Sequence, residues 1–175
     1  MKTKWIIDPI HSEVQFNVKY LVISTVSGQF NRFSGHLETE NGDFDDASAE
    51  FQIETASVNT NVEERNNHLK SSDFFDAANY PHITFADGKL TRSGDDYKLK
   101  GDLTIKGKTK NITLDVDFGG SILDGYGQKK AGFEISGKIN RKEFGLTWNA
   151  VTKTGGVVVS DDVKLMLNVQ VILQN

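Results

Sequence analysis

Between Ser12 and Tyr20 the apolar residues Val14, Phe16, Val18 and Tyr20 alternate with Glu13, Gln15, Asn17 and Lys19. A period of two sends every second side chain to one face, so the segment is expected to be a strand with one dry and one wet side. Ala49, Phe51 and Ile53 repeat the pattern against Glu50, Gln52 and Glu54, and Ile83 and Phe85 continue it after Tyr80-Pro81. Leu99, Leu103 and Ile105 share a face, and Ile112, Leu114, Val116 and Phe118 return on the same parity. Gly107-Lys108 between them is expected to be the two-residue turn of a hairpin. Phe133, Ile135 and Ile139 mark a further strand, and Val163, Leu165, Leu167, Val169, Val171 and Leu173 alternate to the C-terminus. Gly119-Gly120, Gly125-Tyr126-Gly127 and Gly155-Gly156 are expected turns. Only Val62 to Leu69 has a helical pattern. Ser71 or Ser72 would then cap a short turn through Phe74 and Phe75 before Asn79-Tyr80-Pro81 stops it.

About eight antiparallel strands with one helical insert fit an up-and-down barrel or a β-sandwich. A strand as long and apolar as that ending at Leu173 would be a hazardous open edge, which closure removes. The expected fold is therefore all-β: an eight-stranded antiparallel barrel with one short helical insert, in a single domain over residues 1–175. A chain of this length buries roughly 70% of its unfolded surface, enough for a core without staples. Phe16, Phe30, Phe33, Phe51, Phe74, Phe75, Phe85, Phe118, Phe133, Phe144 and Trp148 bring many rings to one small barrel. Either they make its interior solid or they line a long slot.

Composition narrows the chemistry. With no cysteine there is no disulfide, thiolate metal site or cysteine nucleophile. A net charge of −4 has the wrong sign for holding nucleic acid by phosphate neutralisation. No apolar run is long enough for a transmembrane helix. Met1-Lys2-Thr3-Lys4-Trp5 supplies two lysines, but Asp8, His11 and Glu13 arrive before an apolar leader segment forms. A cytoplasmic location is thus expected of the chain as it stands, and a periplasmic or secreted one if a leader has been removed.

Nucleotide-binding, zinc-protease and serine-hydrolase motifs do not occur. His11, His36, His68 and His82 lie apart without metal-ligand spacing, so no metal is expected. Asp43, Asp45 and Asp46 after Asn41-Gly42 fit a hairpin turn better than a calcium loop. The sequon Asn111-Ile112-Thr113 falls inside an expected strand, a poor acceptor context. Glu63, Glu64, Arg65, His68 and Lys70 are most simply a solvated helix face, and Arg141-Lys142-Glu143 a solvated turn. No nucleophile can be paired with a base and an orienting group, and no cofactor is called for.

Several ordered segments nevertheless resemble the YceI-like family of lipocalin-fold isoprenoid-binding proteins. They are Trp5-Ile6-Ile7-Asp8-Pro9-Ile10-His11-Ser12, Val14-Gln15-Phe16-Asn17-Val18 and Ser27-Gly28-Gln29-Phe30. Arg65-Asn66-Asn67-His68-Leu69 with Ser72-Asp73-Phe74-Phe75-Asp76 is similar to the family's helical segment, and Tyr80-Pro81-His82-Ile83-Thr84-Phe85 to the strand after it. Gly101-Asp102-Leu103-Thr104-Ile105-Lys106-Gly107 and Ile139-Asn140-Arg141-Lys142-Glu143-Phe144-Gly145-Leu146 complete the set. The resemblance implies a lipocalin-like barrel that binds, without turnover, a polyisoprenoid, a quinone tail or a fatty amide. One position departs from it: the family's first strand commonly ends in histidine where this chain has Tyr20.

Alternation places Val14, Phe16, Val18, Tyr20, Phe51, Ile53, Ile83, Phe85, Leu103, Ile105, Ile112, Leu114, Phe133, Ile135, Leu165 and Leu167 on inward faces. Phe33, Phe74, Phe75, Phe144 and Trp148 join them as candidate ligand contacts, and Arg65, His68 and Arg141 are candidates for choosing a head group at the mouth. The alternative function is a small enzyme acting on an apolar substrate, with His11 or His68 as general base. A homodimer is compatible with this class of chain, although no seam can be read.

Overall fold

The computed structural model describes residues 2–21, 23–40, 42–149 and 159–174. Its strands are β1 (Lys2–Ile7), β2 (Glu13–Tyr20), β3 (Ser24–Phe30), β4 (Phe33–Glu40), β5 (Asp43–Glu54), β6 (Val58–Asn59), β7 (His82–Ser93), β8 (Asp96–Ile105), β9 (Lys108–Leu123), β10 (Lys129–Asn140) and β11 (Val159–Leu173). One α-helix, α1 (Glu63–Lys70), lies between β6 and β7, and short 3-10 turns occupy Pro9–His11, Thr55–Ser57 and Arg141–Phe144.

Pairing turns these strands into a closed eight-stranded antiparallel barrel. β11 pairs with β10 along most of its length. Its other edge takes β1 at residues 171–173 and β2 at residues 159–168, so β1 and β2 lie end to end as one interrupted stave. β3 and β4 form the next stave in the same way, pairing with β2 and β1 respectively. From β4 the sheet runs through β5, β7, β8, β9 and β10 back to β11. Each stave neighbours the next in sequence, which is the up-and-down order, and the tips of successive hairpins alternate between the two ends.

The break between β1 and β2 has a local cause. Pro9 cannot donate to a ladder and starts the 3-10 turn, while Asp8 caps it, its Oδ1 accepting from the Ile10 N–H at 3.1 Å. The Asp8 N–H still reaches the Gln170 carbonyl at 2.8 Å, so the stave stays attached to β11 through the interruption.

Two expected turns are corrected. Ile105 pairs with Lys108, so the β8–β9 loop is Lys106-Gly107 rather than Gly107-Lys108. Both loop residues have positive φ, +52° and +75°, the twist that two-residue hairpins require, and glycine takes the second position. Gly119-Gly120 is not a turn but lies within β9, beside a register shift at Gly132/Phe133, and Gly120 has φ +105°. A glycine bulge bends a long strand without ending it. Gly125-Tyr126-Gly127 does close the β9–β10 hairpin, with Asp124 Oδ1 accepting from the Tyr126 and Gln128 N–H groups. Gly155-Gly156 lies outside the described residues. Helix α1 starts one residue after Val62, and Ser71 both closes it, donating to the His68 carbonyl, and opens the expected turn through Phe74 and Phe75, its Oγ accepting from the Asp73 N–H at 3.4 Å and its carbonyl from the Phe74 N–H at 3.0 Å.

Close packing on the inner face relies on glycine at a few points. At Gly88 in β7, a Cβ would lie 2.6 Å from the Ala49 carbonyl oxygen and 2.7 Å from the Phe85 ring. The backbone oxygen cannot swing away, so Gly88→Ala is expected to lose about 1–3 kcal/mol of stability by overpacking. Urea denaturation of this variant, beside Gly94→Ala in an open turn as the control for positive φ, would check it; an unchanged midpoint for Gly88→Ala contradicts the packing.

Candidate functional site

The inner rings divide between the two ends of the barrel. At the end bearing the β4–β5, β7–β8 and β9–β10 hairpin tips, Phe44 packs against Trp5 (5.1 Å between centroids), Phe118 (5.5 Å) and Phe133 (5.2 Å). Phe118 also meets Phe133 at 5.3 Å and Tyr97 at 6.2 Å. The Trp5 indole donates to Thr39 Oγ1 at 3.4 Å, satisfying its polar edge inside this cluster. These rings fill the cross-section and make a floor.

Above the floor the barrel is hollow, with a cavity of about 550 Å³. Phe133 belongs to both regions, since it packs in the floor and borders the cavity. Every residue assigned inward by alternation borders this cavity, from Val14 on β2 to Leu167 on β11. The wall is hydrocarbon almost throughout. Gln15, Lys19, His36 and Glu50 also border it but belong to the outward parity of their strands.

The far end is covered by the segment after β6. His68 on α1 meets Phe74 edge-on at 5.0 Å and Trp148 at 4.7 Å, and Phe74 meets Trp148 at 5.3 Å. Phe75 packs on Phe30 at 5.8 Å, and Phe30 on Phe16 at 5.5 Å, which joins the cover to the wall. The turn after α1 is held by Phe75 N–H to the Leu69 carbonyl and by Lys106 Nζ to the Ser72 carbonyl, both 2.9 Å. His68, Phe74, Phe75 and Trp148 therefore form a lid whose inner surface is aromatic.

The charged candidates have other partners. Arg65 borders the cavity, but its Nε donates to Thr60 Oγ1 at 2.8 Å and its second terminal nitrogen to the Thr60 carbonyl at 2.6 Å. Thr60 is buried and its hydroxyl donates a hydrogen bond to Asn66 Oδ1 at 2.6 Å, so this group fixes the entry into α1. Arg141 is only 3% exposed, which overturns the solvated-turn reading. Its guanidinium donates to the carbonyls of Ser160, Leu146, Trp148 and Val159. Burial lowers its pKa from the ordinary arginine value, and Asp161 partly opposes that shift. It clamps the segment from Leu146 to Trp148 to the start of β11, and it also borders the cavity.

Phe33 and Phe144 do not line the cavity. Phe33 stacks on Phe51 at 5.8 Å, and Phe144 is fully buried in the 3-10 turn after β10. The two histidines proposed as a base are in different places. His68 borders the cavity with its Nε2 2.9 Å from Asp73 Oδ2, whereas His11 sits outside the barrel with Nδ1 2.7 Å from Asp8 Oδ2. Among the described residues no cluster of three His, Asp or Glu side chains has metal-binding geometry. Strand alternation was blind to the floor and to the Arg141 clamp. Hairpin position was the available signal for the floor, because Phe44 and Tyr97 follow directly on turns that share one end.

A family model described as YceI-like domain matches residues 5–171. A UPF0312 protein of Staphylococcus epidermidis is 36% identical over 174 residues, covering 99% of each chain. A UPF0312 protein of Staphylococcus aureus is 39% identical over 165 residues, covering 93% of each. Among solved structures, BcnA of Burkholderia cenocepacia superposes with a TM-score of 0.81 at 25% identity, over 94% of this chain and 98% of that one. The Campylobacter jejuni YCEI protein gives a TM-score of 0.73 at 33% identity, over 90% of both. A polyisoprenoid binding domain from Saccharophagus degradans shares the fold, with a TM-score of 0.67 at 16% identity over 95% of this chain and 97% of its own.

Removing the Arg141 charge while keeping its bulk, as Arg141→Met, leaves buried carbonyls without donors and is expected to cost roughly 3–5 kcal/mol. Chemical denaturation would measure this, and a loss below about 1 kcal/mol would contradict the clamp. Asp8 supplies a second expectation, in pH. The hydrogen bond with His11 holds its carboxyl below the ordinary value, helped by the Ile10 N–H and by the charges of His11 and Lys130, against desolvation. A lowered folded pKa means stability that is fully present above the unfolded carboxylate value and is lost as pH falls through the folded one. Asp8→Asn should therefore flatten the acid limb of a melting-temperature profile, and an unaltered acid limb would count against this coupling.

Proposed function

This chain belongs to the YceI-like family, and from that premise we propose that it is a non-catalytic binding protein for a long-chain isoprenoid or a similar amphiphilic lipid, which it carries or stores inside the barrel. The observation that supports this most is the cavity itself. It is about 550 Å³, walled by aliphatic and aromatic side chains, closed below by packed rings and covered above by an aromatic lid. That volume lies within the roughly 300–1,000 Å³ of ligand-sized pockets, and the wall offers a hydrocarbon chain contact on all sides.

The energetics favour tail over head. Each buried methylene contributes about 0.8 kcal/mol before the costs of ordering, so chain length governs affinity. Arg65 and Arg141 are committed to Thr60 and to backbone carbonyls, which leaves Tyr20 and His68 as the polar side chains on the inward surface near the open end. Together they would meet a neutral or weakly polar head group, such as a quinone ring or an amide. The shared fold of the polyisoprenoid binding domain from Saccharophagus degradans is consistent with such a ligand.

Native mass spectrometry of the purified chain, with organic extraction of what it releases, tests this reading. A polyprenyl or long acyl species at one copy per chain is the expected result. A chain that stays free of lipid after incubation with such compounds would sink it. Val18→Trp adds bulk to a half-buried wall position near the mouth and is expected to weaken uptake of the same lipid by about tenfold or more while the far-ultraviolet spectrum is retained. Undiminished uptake by this variant would place the ligand elsewhere.

A further inference from the structure

Several inward positions of the staves are glycine, a residue that weakens a strand and is found where something approaches closely. What approaches here is a large side chain from the next stave. Gly28 on β3 pairs with Phe16 on β2, and a Cβ on Gly28 would overlap the tip of the Phe16 ring. Gly35 on β4 pairs with Phe51 on β5, whose ring would lie 2.7 Å from such a Cβ. Gly101 on β8 receives Phe85 of β7 in the same way, at 2.5 Å, and Gly137 on β10 receives the Leu114 side chain of β9. Phe16, Phe51, Phe85 and Leu114 all border the cavity. They face the bore yet lie along its wall, because the neighbouring stave leaves a gap where a Cβ would stand.

The floor rings are built differently. Gly132 lies clear of the Phe118 ring and Gly119 clear of the Phe133 ring, with no ring atom within 4 Å of either Cβ position. Without a gap beside them, Phe118 and Phe133 meet each other and Phe44. The same residue type thus closes the bore at one height and lines it at another, and the difference is the glycine beside it.

Two of these gaps can be filled without striking strand backbone. At Gly137 the atoms nearest an added Cβ all belong to Leu114, whose Cα is 3.9 Å away. At Gly28 they are the Phe16 ring and the Thr60 methyl group, the latter at 2.9 Å. By contrast, a Cβ on Gly35 would lie 2.8 Å from the Glu50 carbonyl oxygen, and one on Gly101 would lie 2.9 Å from the Gly88 Cα. A methyl added at Gly137 or Gly28 is relieved by swinging Leu114 or Phe16 into the bore, which narrows it. A methyl added at Gly35 or Gly101 meets main chain that cannot swing, and chiefly strains the sheet.

We propose that Gly137 and Gly28 are specificity-determining positions of the cavity, which hold Leu114 and Phe16 back so that the bore admits a methyl-branched chain. The proposal rests on the lipid-carrier reading and adds to it the residues that set the calibre. A bore narrowed by one side chain passes an unbranched chain more easily than one carrying methyl groups along its length, and fit to a single methylene changes affinity by about 10–200-fold.

Equilibrium uptake of two alcohols tests it, with the bound alcohol quantified after gel filtration. One is phytanol, a saturated isoprenoid alcohol, and the other is hexadecanol, which has the same main chain without the methyl branches. The unaltered chain is expected to take up phytanol. Gly137→Ala and Gly28→Ala are each expected to lower the affinity for phytanol by about tenfold or more and that for hexadecanol by less than about threefold, with folding retained in thermal melts. Pairing Gly137→Ala with Leu114→Val, or Gly28→Ala with Phe16→Leu, removes the displaced atoms and should restore phytanol uptake, a rescue that general damage to the sheet would not show. The proposal is overturned if both glycine variants bind phytanol as the unaltered chain does, if both lose the two alcohols to the same degree, or if neither paired variant recovers phytanol. Unfolding of both glycine variants also overturns it, since Leu114 and Phe16 would then have had no bore to swing into. Failure of the unaltered chain to bind either alcohol refutes the lipid-carrier reading and the proposal with it, whereas uptake indifferent to the glycine changes refutes the proposal alone.

Discussion

The seam along β11 is the constraint on which the remaining structure depends. An eight-stranded sheet with one apolar face has to close, and here closure is achieved by a single strand that pairs with β10 on one edge and with two end-to-end strands on the other. The second edge works because Asp8 and Pro9 interrupt the first stave without detaching it from Gln170. At its N-terminal end the seam is secured by the Arg141 guanidinium, which collects carbonyls from β11 and from the segment preceding it. A buried cation is costly to desolvate unless its donors are used, and here four backbone carbonyls use them.

Once the barrel is closed, the placement of rings decides what it contains. Eight staves leave an interior that side chains either fill or leave hollow. Trp5, Phe44, Tyr97, Phe118 and Phe133 converge near one end and fill it. Further along, the inward positions are mainly Val, Leu and Ile, too small to meet across the axis, and the interior opens into the cavity. Aromatic bulk returns at the mouth, but there it comes from α1, the turn after it and Trp148 rather than from the staves. Floor and lid are thus different kinds of structure. The floor is part of the sheet, and the lid is an insert laid across its end.

Strand alternation carried the inward face of the barrel in the sequence. From Val14 to Leu167, period-two parity survives folding because a closed sheet has only an inside and an outside. The filled-or-hollow question was not legible, because alternation says which way Phe118 or Phe133 points but not how far along the axis it lies. That height follows from register, and register shifts such as those at Gly132/Phe133 and Ala86/Lys89 are invisible to a period. Phe33 shows the limit of inferring a site from residue type: it is an aromatic stacked on Phe51, yet it does not border the cavity that Phe51 lines. Arg141 shows the converse, since a charged residue between a strand and a glycine turn looks solvated until the long-range carbonyls that surround it are known.

The division between structural and available polar groups bears directly on recognition. Cations near an apolar cavity invite an anionic ligand on charge alone, but a guanidinium whose donors already hold carbonyls presents little unspent hydrogen-bonding capacity to a guest. Arg65 and Arg141 are in that condition, and the imidazole of His68 is oriented by Asp73 while its ring faces Phe74 and Trp148. The lid is therefore selective by shape and by hydrocarbon contact more than by charge. Discrimination between apolar chains would come from how many carbons fit between the Phe133 floor and the Trp148 lid, a length set by the staves and insensitive to ionic strength. Charge can then be reserved for the outside of the mouth, where Lys108 and Lys110 remain exposed.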